Sequence, residues 1–177
     1  MGLGNDLYGD DGVGIHAVRI LKEEWAAQDR TRVRKKRTGP AVQIDFAECS
    51  LSGIAILDVI RGYDALVIID TIIRPDPATG RIHLLEMSDV RDVPGPSPHY
   101  ISIPQTIALG EQLGIKMPEI MKIIAVEAKN LYSLGEPLSE GMRRRLPEIV
   151  ETTKSVLTDL MKLAKRPNGL ASRRISP

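Results

Sequence analysis

One cysteine, one phenylalanine and one tryptophan stand among 177 residues, and aromatics make up only 3% of the chain. A single thiol, Cys49, excludes an internal disulfide and any zinc site built from several cysteines. With so few aromatics, base-stacking surfaces of the kind that bind single-stranded nucleic acid are not expected. Charge is not lopsided either: 24 basic and 23 acidic side chains leave a net +1, which calls for no polyanionic partner. No run approaches the roughly 20 apolar residues of a bilayer crossing; the longest, Ala65–Ile69, fits a buried strand. No charged segment followed by a short apolar core opens the chain, so no secretory signal is read. At 42% hydrophobic the chain is too apolar for intrinsic disorder. These features predict one globular domain over residues 1–164 in a reducing, cytoplasmic setting. A polar, basic tail over 165–177 is expected to be disordered.

Periodicity supplies the order of elements. Val13, Ala17, Ile20 and Leu21 recur at helical spacing behind the glycine-rich opening Gly2–Gly14. Arg30–Arg37 carries six basic residues in eight and reads as a solvated loop, because no aromatics interleave. Val42, Ile44 and Phe46 alternate as a half-buried strand does. Ser50 or Ser52 then caps a short helix expected to turn Ile54, Leu57 and Ile60 inward. Ala65–Asp70 is a continuous β-branched and apolar run, the pattern of a central parallel strand covered on both faces. Arg81–Glu86 and Lys122–Val126 read as further strands. Ile103, Ile107 and Leu113 mark a helix starting near Pro104, and Ser139–Ala164 a long final helix that Pro147 bends or opens. Val93–Pro98 is a Pro- and Gly-rich loop ending at His99. Strands alternating with helices predict an α/β fold: a three-layer α/β/α arrangement around a mainly parallel twisted sheet.

In open parallel sheets ligands sit at the carboxyl ends of strands. That rule selects Asp70, the Gly2–Gly14 loop with Asp10 and Asp11, the Glu48-Cys49-Ser50 segment, and His99 in its nearby loop. Asp10 reads as a helix cap, and Cys49 as a structural thiol, since no base is marked beside it. His16 reads as solvent-facing, and His83 lies on a strand with no acidic neighbour evident in the sequence. The glycines do not form a dinucleotide fingerprint. The spacing Gly-x-Gly-x-x-Gly is broken at Leu7, and no strand precedes it.

Gly2-Leu-Gly-Asn-Asp-Leu-Tyr-Gly-Asp-Asp-Gly-Val-Gly resembles the opening of the hydrogenase maturation proteases. Ile68-Ile-Asp70 is similar to that family's second acidic block and Ser97-Pro-His99 to its histidine block. Ala125-Val-Glu127, Pro137-Leu-Ser139 and the final helix resemble its last third. The likeness spans roughly positions 2 to 160. It implies an endopeptidase, aspartic-type or metal-dependent, that removes the C-terminal extension of a nickel–iron hydrogenase large-subunit precursor once nickel has been inserted. It implies that Asp11, Asp70 and His99 are catalytic and bind the metal, and that Glu48 contacts substrate. Nickel carried by the precursor is the metal expected, with zinc or another divalent ion of the protein's own as the other possibility. The chain departs from the family in placing Asp at position 11, where many members have Glu. It also departs in lacking the apolar strand that usually precedes the first glycines, so the first strand of the sheet is expected to be missing or truncated. Two other functions share these residues: a nickel-delivery module without peptidase activity, and a small-molecule hydrolase on a similar scaffold. No nucleic-acid or membrane partner is expected, and the sequence gives no oligomeric state.

Overall fold

The computed structural model describes residues 1–32, 42–90, 102–129, 131, 133–164 and 174–176, with backbone alone for 29–32 and 174–176. The segments 33–41 and 91–101, which hold most of the basic run and His99, lie outside the described residues. In chain order the elements are β1 (Gly2–Leu3), a 3-10 turn (Gly9–Gly12), α1 (Val13–Arg32), β2 (Gln43–Ile44) and β3 (Glu48–Cys49). A 3-10 turn (Gly53–Ile56) leads into α2 (Leu57–Ile60), followed by β4 (Ala65–Ile72), β5 (Ile82–Glu86) and α3 (Ile103–Gln112). The chain continues with β6 (Ile120–Glu127), α4 (Glu140–Ala164) and β7 (Arg174–Ser176).

The alternation of strand and helix predicted a three-layer α/β/α fold, and that is the architecture. β4 is the spine. It runs parallel to β6 in unbroken register from Ala65↔Ile120 to Ile72↔Glu127, and β5 adds antiparallel to the far side of β6. Because side chains alternate across a strand, β4 feeds both cores. Ala65, Val67 and Ile69 face α1 and α4, packing with Val13, Ala17, Leu21, Met142, Ile149 and Leu157. Leu66 and Ile68 face the other way, against Ile56, Ile60, Ile107 and Met121. Full burial of each such side chain is worth about 1.5–3 kcal/mol, so the eight-residue β4 anchors the fold. α3 starts where expected because Ser102 caps it: its hydroxyl accepts from the Gln105 N–H while the Gln105 side chain accepts from the Ser102 N–H, with Pro104 in the first turn. α4 begins at Glu140 and runs through Pro147.

Four expectations need correction. Residues 30–32, read as the start of a loop, end α1 instead. Ile54 does not turn inward; it is exposed, because residues 53–56 form a 3-10 turn that rotates it out of the α2 stripe. Leu113 is exposed because α3 ends at Gln112, one residue before it. In the tail, 174–176 form β7 rather than disordered chain; the rest of the tail lies outside the described residues.

The first strand is short, as expected: β1 is two residues long, and β7 occupies the rest of its column. β7 pairs in parallel with β2 (Ile44↔Ile175) and with β4 (Ala65↔Ile175, Leu66↔Ser176). β1 takes the same slot further along, pairing with β4 (Gly2↔Ile69) and with β3 (Gly2↔Glu48). Between them the Met1 ammonium donates to the Val67 carbonyl at 2.7 Å, and the Ile69 N–H donates to the Met1 carbonyl at 2.9 Å. Residues from both ends of the sequence therefore share one column. β1, β3, β4 and β6 all run parallel, so the loops that follow them leave from one edge of the sheet.

Candidate carboxylate site

Two of the predicted residues meet at that carboxyl edge. Asp70 lies near the end of β4, where the run of apolar side chains stops. Asp11 lies in the 3-10 turn between β1 and α1. Thr71 joins them: its backbone N–H donates to Asp70 Oδ1 at 2.8 Å, and its hydroxyl donates to Asp11 Oδ1 at 3.1 Å. Asp11 Oδ2 accepts from the Asn5 N–H at 2.8 Å. The glycines explain how Asp11 comes so close. Gly4 sits at φ 131°, and a Cβ there would lie 2.0 Å from the Asp11 carbonyl oxygen. A Cβ at Gly14 would lie 2.4 Å from the Ile69 carbonyl oxygen. The glycine stretch thus lets the start of α1 press against β1 and β4, in place of cradling a phosphate.

The electrostatics of the pair are unbalanced. Burial pushes the Asp70 carboxyl up from 3.8 to about 6; the Thr71 N–H opposes this, and the neighbouring Asp11 charge adds to it. Among the described residues no lysine or arginine pairs with either carboxylate. Two acids held together without a counter-cation form a donor set that suits a divalent ion, whose charge would relieve the repulsion. Among the described residues no third histidine, cysteine, aspartate or glutamate completes a three-ligand group. His99, the third member expected, lies outside the described residues.

The other expected residues fall elsewhere. Asp10 is buried and accepts from both the Ser139 N–H at 2.7 Å and the Ser139 hydroxyl at 2.9 Å, while Ser139 Oγ accepts from the Met142 N–H. It ties the first loop to the cap of α4 instead of capping α1, so two adjacent aspartates hold different posts. A cleft of about 300 Å³ opens beside it, lined by Gly9, Asp10, Ser133, Glu136, Pro137 and Ser139. Glu48 is exposed on β3 and paired with Arg19 at 2.8 Å, with Asp6 sharing the same guanidinium at 2.9 Å. His16, beside this cluster, is half-buried; burial first, and then the Arg19 charge, lower its pKa. Cys49 is buried, as a structural thiol should be.

Sequence reasoning missed one group. Glu127 ends β6, is 2% exposed, and takes the His83 imidazole Nε2 at 2.7 Å and the Ala78 N–H at 2.7 Å, with Arg81 at 3.7 Å. His83 does have an acidic neighbour. Its pairing with Ala125 across the antiparallel β5–β6 ladder, which places it beside Glu127, has no local signature.

The family model for hydrogenase maturation protease matches residues 31–156, most of the chain and including Asp70 and the position of His99. The chain belongs to the hydrogenase maturation protease family. It is a hydrolase of the peptidase kind, with an endopeptidase role in hydrogenase maturation. It is 25% identical over 169 residues to a hydrogenase expression/formation protein HupD of Thiocapsa roseopersicina, covering 94% of this chain and 70% of the relative. To the HupD of Rhizobium leguminosarum bv. viciae it is 23% identical, covering 97% and 79%. Among solved structures it superposes on the hydrogenase maturating endopeptidase HybD from E. coli with TM-score 0.68 at 19% identity, covering 89% of this chain and 90% of that one. It superposes on the [NiFe] hydrogenase maturation protease HycI from Thermococcus kodakarensis KOD1 with TM-score 0.60 at 21% identity, covering 89% of each. At those identities the superpositions speak to the fold. The family match begins after Asp11, which is held at the strand end by the Thr71 hydroxyl and the close packing of the glycines. Among the described residues no helix is long and apolar enough to cross a membrane.

Proposed function

We propose that this chain removes the C-terminal extension of a nickel–iron hydrogenase large-subunit precursor after nickel has been loaded, with Asp11, Asp70 and His99 engaging the nickel that the precursor carries. The observation that supports this reading is the Asp11–Thr71–Asp70 arrangement: two carboxylates brought to one strand end, mutually repelling, with no lysine or arginine among the described residues paired to either. Nickel is then a feature of the substrate that the acids read. An unloaded precursor offers no charge to offset their repulsion and is not held. Two carboxylates and an imidazole form an O,O,N set suited to a borderline divalent ion, and such a set leaves positions open for the precursor's own ligands. In this reading Glu48, exposed on β3 and ion-paired with Arg19, contacts the precursor chain.

Hydrolysis of the scissile amide needs a base to take a proton from the attacking water and an acid to give one to the leaving amine. Asp11 or Asp70 serves as the base. Thr71 orients Asp11 by donating its hydroxyl to it.

The test is processing of purified precursor, nickel-loaded and nickel-free, by the wild type and by Asp11→Asn, Asp70→Asn and His99→Ala. The expected result is a shortened product only from loaded precursor with the wild type. Cleavage by Asp70→Asn at the wild-type rate would refute the site. Nickel retention without any shortened product would make the protein a delivery module.

A further inference from the structure

We propose that the carboxyl edge of the sheet is the docking surface for the folded body of the precursor, through an apolar rim formed by Leu7, Leu51, Ile54, Ile73 and Leu134. This inference rests on the reading that Asp11 and Asp70 form the cleavage centre. All five side chains are exposed. Each lies on a segment that follows a parallel strand: Leu7 after β1, Leu51 and Ile54 after β3, Ile73 directly after β4, and Leu134 after β6. Parallel strands place those segments on one edge, the edge that carries the two acids. The other exposed large apolar side chains among the described residues lie elsewhere: Leu84 on β5, and Leu113 and Leu163 at the ends of α3 and α4, helices whose far ends lie toward the opposite edge.

Single exposed leucines are ordinary on a protein surface, whereas apolar side chains gathered around a charged centre mark a binding face. The rim is also pre-shaped. The Gly135 N–H donates to the Leu7 carbonyl at 2.7 Å and the Gly9 N–H to the Glu136 carbonyl at 3.1 Å, so the loops bearing Leu7 and Leu134 hold each other. A pre-shaped rim loses little conformational freedom on binding. The occupant follows from the site it surrounds. An endopeptidase in hydrogenase maturation acts on a protein, and two carboxylates alone would grip a charge without telling one chain from another. An apolar face of the precursor beside the scissile peptide, seated on this rim, supplies that discrimination.

The experiment uses the full chain and nickel-loaded precursor, comparing Leu134→Glu, the double change Leu7→Glu with Leu134→Glu, the milder Leu134→Ser, and Leu113→Glu as an off-edge control. KM and kcat are measured together with the melting curve and the size of the protein in solution. Leu134 is 69% exposed, so its replacement leaves the fold intact. The rim glutamates should raise KM about tenfold or more with kcat within about twofold of wild type, Leu134→Ser should raise KM less, and Leu113→Glu should change neither. Unchanged KM in every rim variant overturns the docking surface, and with Asp70→Asn inactive in the same assay the cleavage centre still stands. Asp70→Asn cleaving normally counts against the cleavage centre instead. A wild-type dimer that the rim glutamates convert to monomers assigns the rim to a second copy and overturns the proposal as well.

Discussion

β4 and β6 lie side by side in parallel, and each ends near a sparsely exposed carboxyl group, yet the two acids are pushed in opposite directions. Among the described residues Asp70 receives the Thr71 N–H; it faces the charge of Asp11, and burial pushes its carboxyl up to about 6. Glu127 receives the Ala78 N–H and the His83 imidazole, with Arg81 nearby, and these hold its carboxyl below the usual range despite its burial. The strand-end rule alone does not separate them. Partners do: a buried acid fully supplied with donors is a staple for the 78–83 connection, and one left short of them is available for chemistry.

The comparison breaks most visibly through activity. Asp70→Asn keeps the shape and removes the charge, and should lower precursor processing by at least about a hundredfold, read as product on a gel against time. Glu127→Gln should leave processing within about threefold when assayed well below its melting temperature.

Stability should respond in the reverse sense. The folded-state pKa of Asp70 lies above 3.8, so the native protein holds this proton more tightly than the unfolded chain and ionisation costs stability. That cost is absent below about pH 4, grows between pH 4 and pH 6, and is complete above. Asp70→Asn should therefore match wild type at low pH and exceed it by about 2–3 kcal/mol above pH 6, measured by denaturant unfolding. Glu127 contributes with the opposite sign: its stabilisation is present above the ordinary carboxylate pKa and is lost as pH falls through its lowered folded value. Glu127→Gln should lower the melting temperature by about 3–8 °C at neutral pH, because Gln cannot accept from every donor that the carboxylate satisfies. Thr71→Val keeps the backbone N–H on Asp70 and removes the hydroxyl from Asp11; its effect on stability should be the smallest of the three, with little change in melting temperature, while processing falls about three- to tenfold.

Much of this was legible because the signals are local. The apolar run Ala65–Ile69 followed by aspartate announces both β4 and Asp70, and the glycines of the first loop mark a backbone that must approach the sheet closely. What stayed hidden depends on pairings between distant segments. Glu127 finds His83 only through the β5–β6 register, and β7 joins β2 and β4 though its sequence looks like polar tail. Ile54 and Leu113 show a subtler limit: helical spacing describes the middle of a helix, and both lie just outside one, where the next residue turns out of the stripe.

Side-chain carboxyl titration by carbon-13 NMR on the metal-free protein compares the two acids in one sample. Asp70 is expected near 6, falling when Asp11 is replaced by Asn, and Glu127 below the ordinary carboxylate range. Finding Asp70 near 4 and indifferent to Asp11 would contradict this.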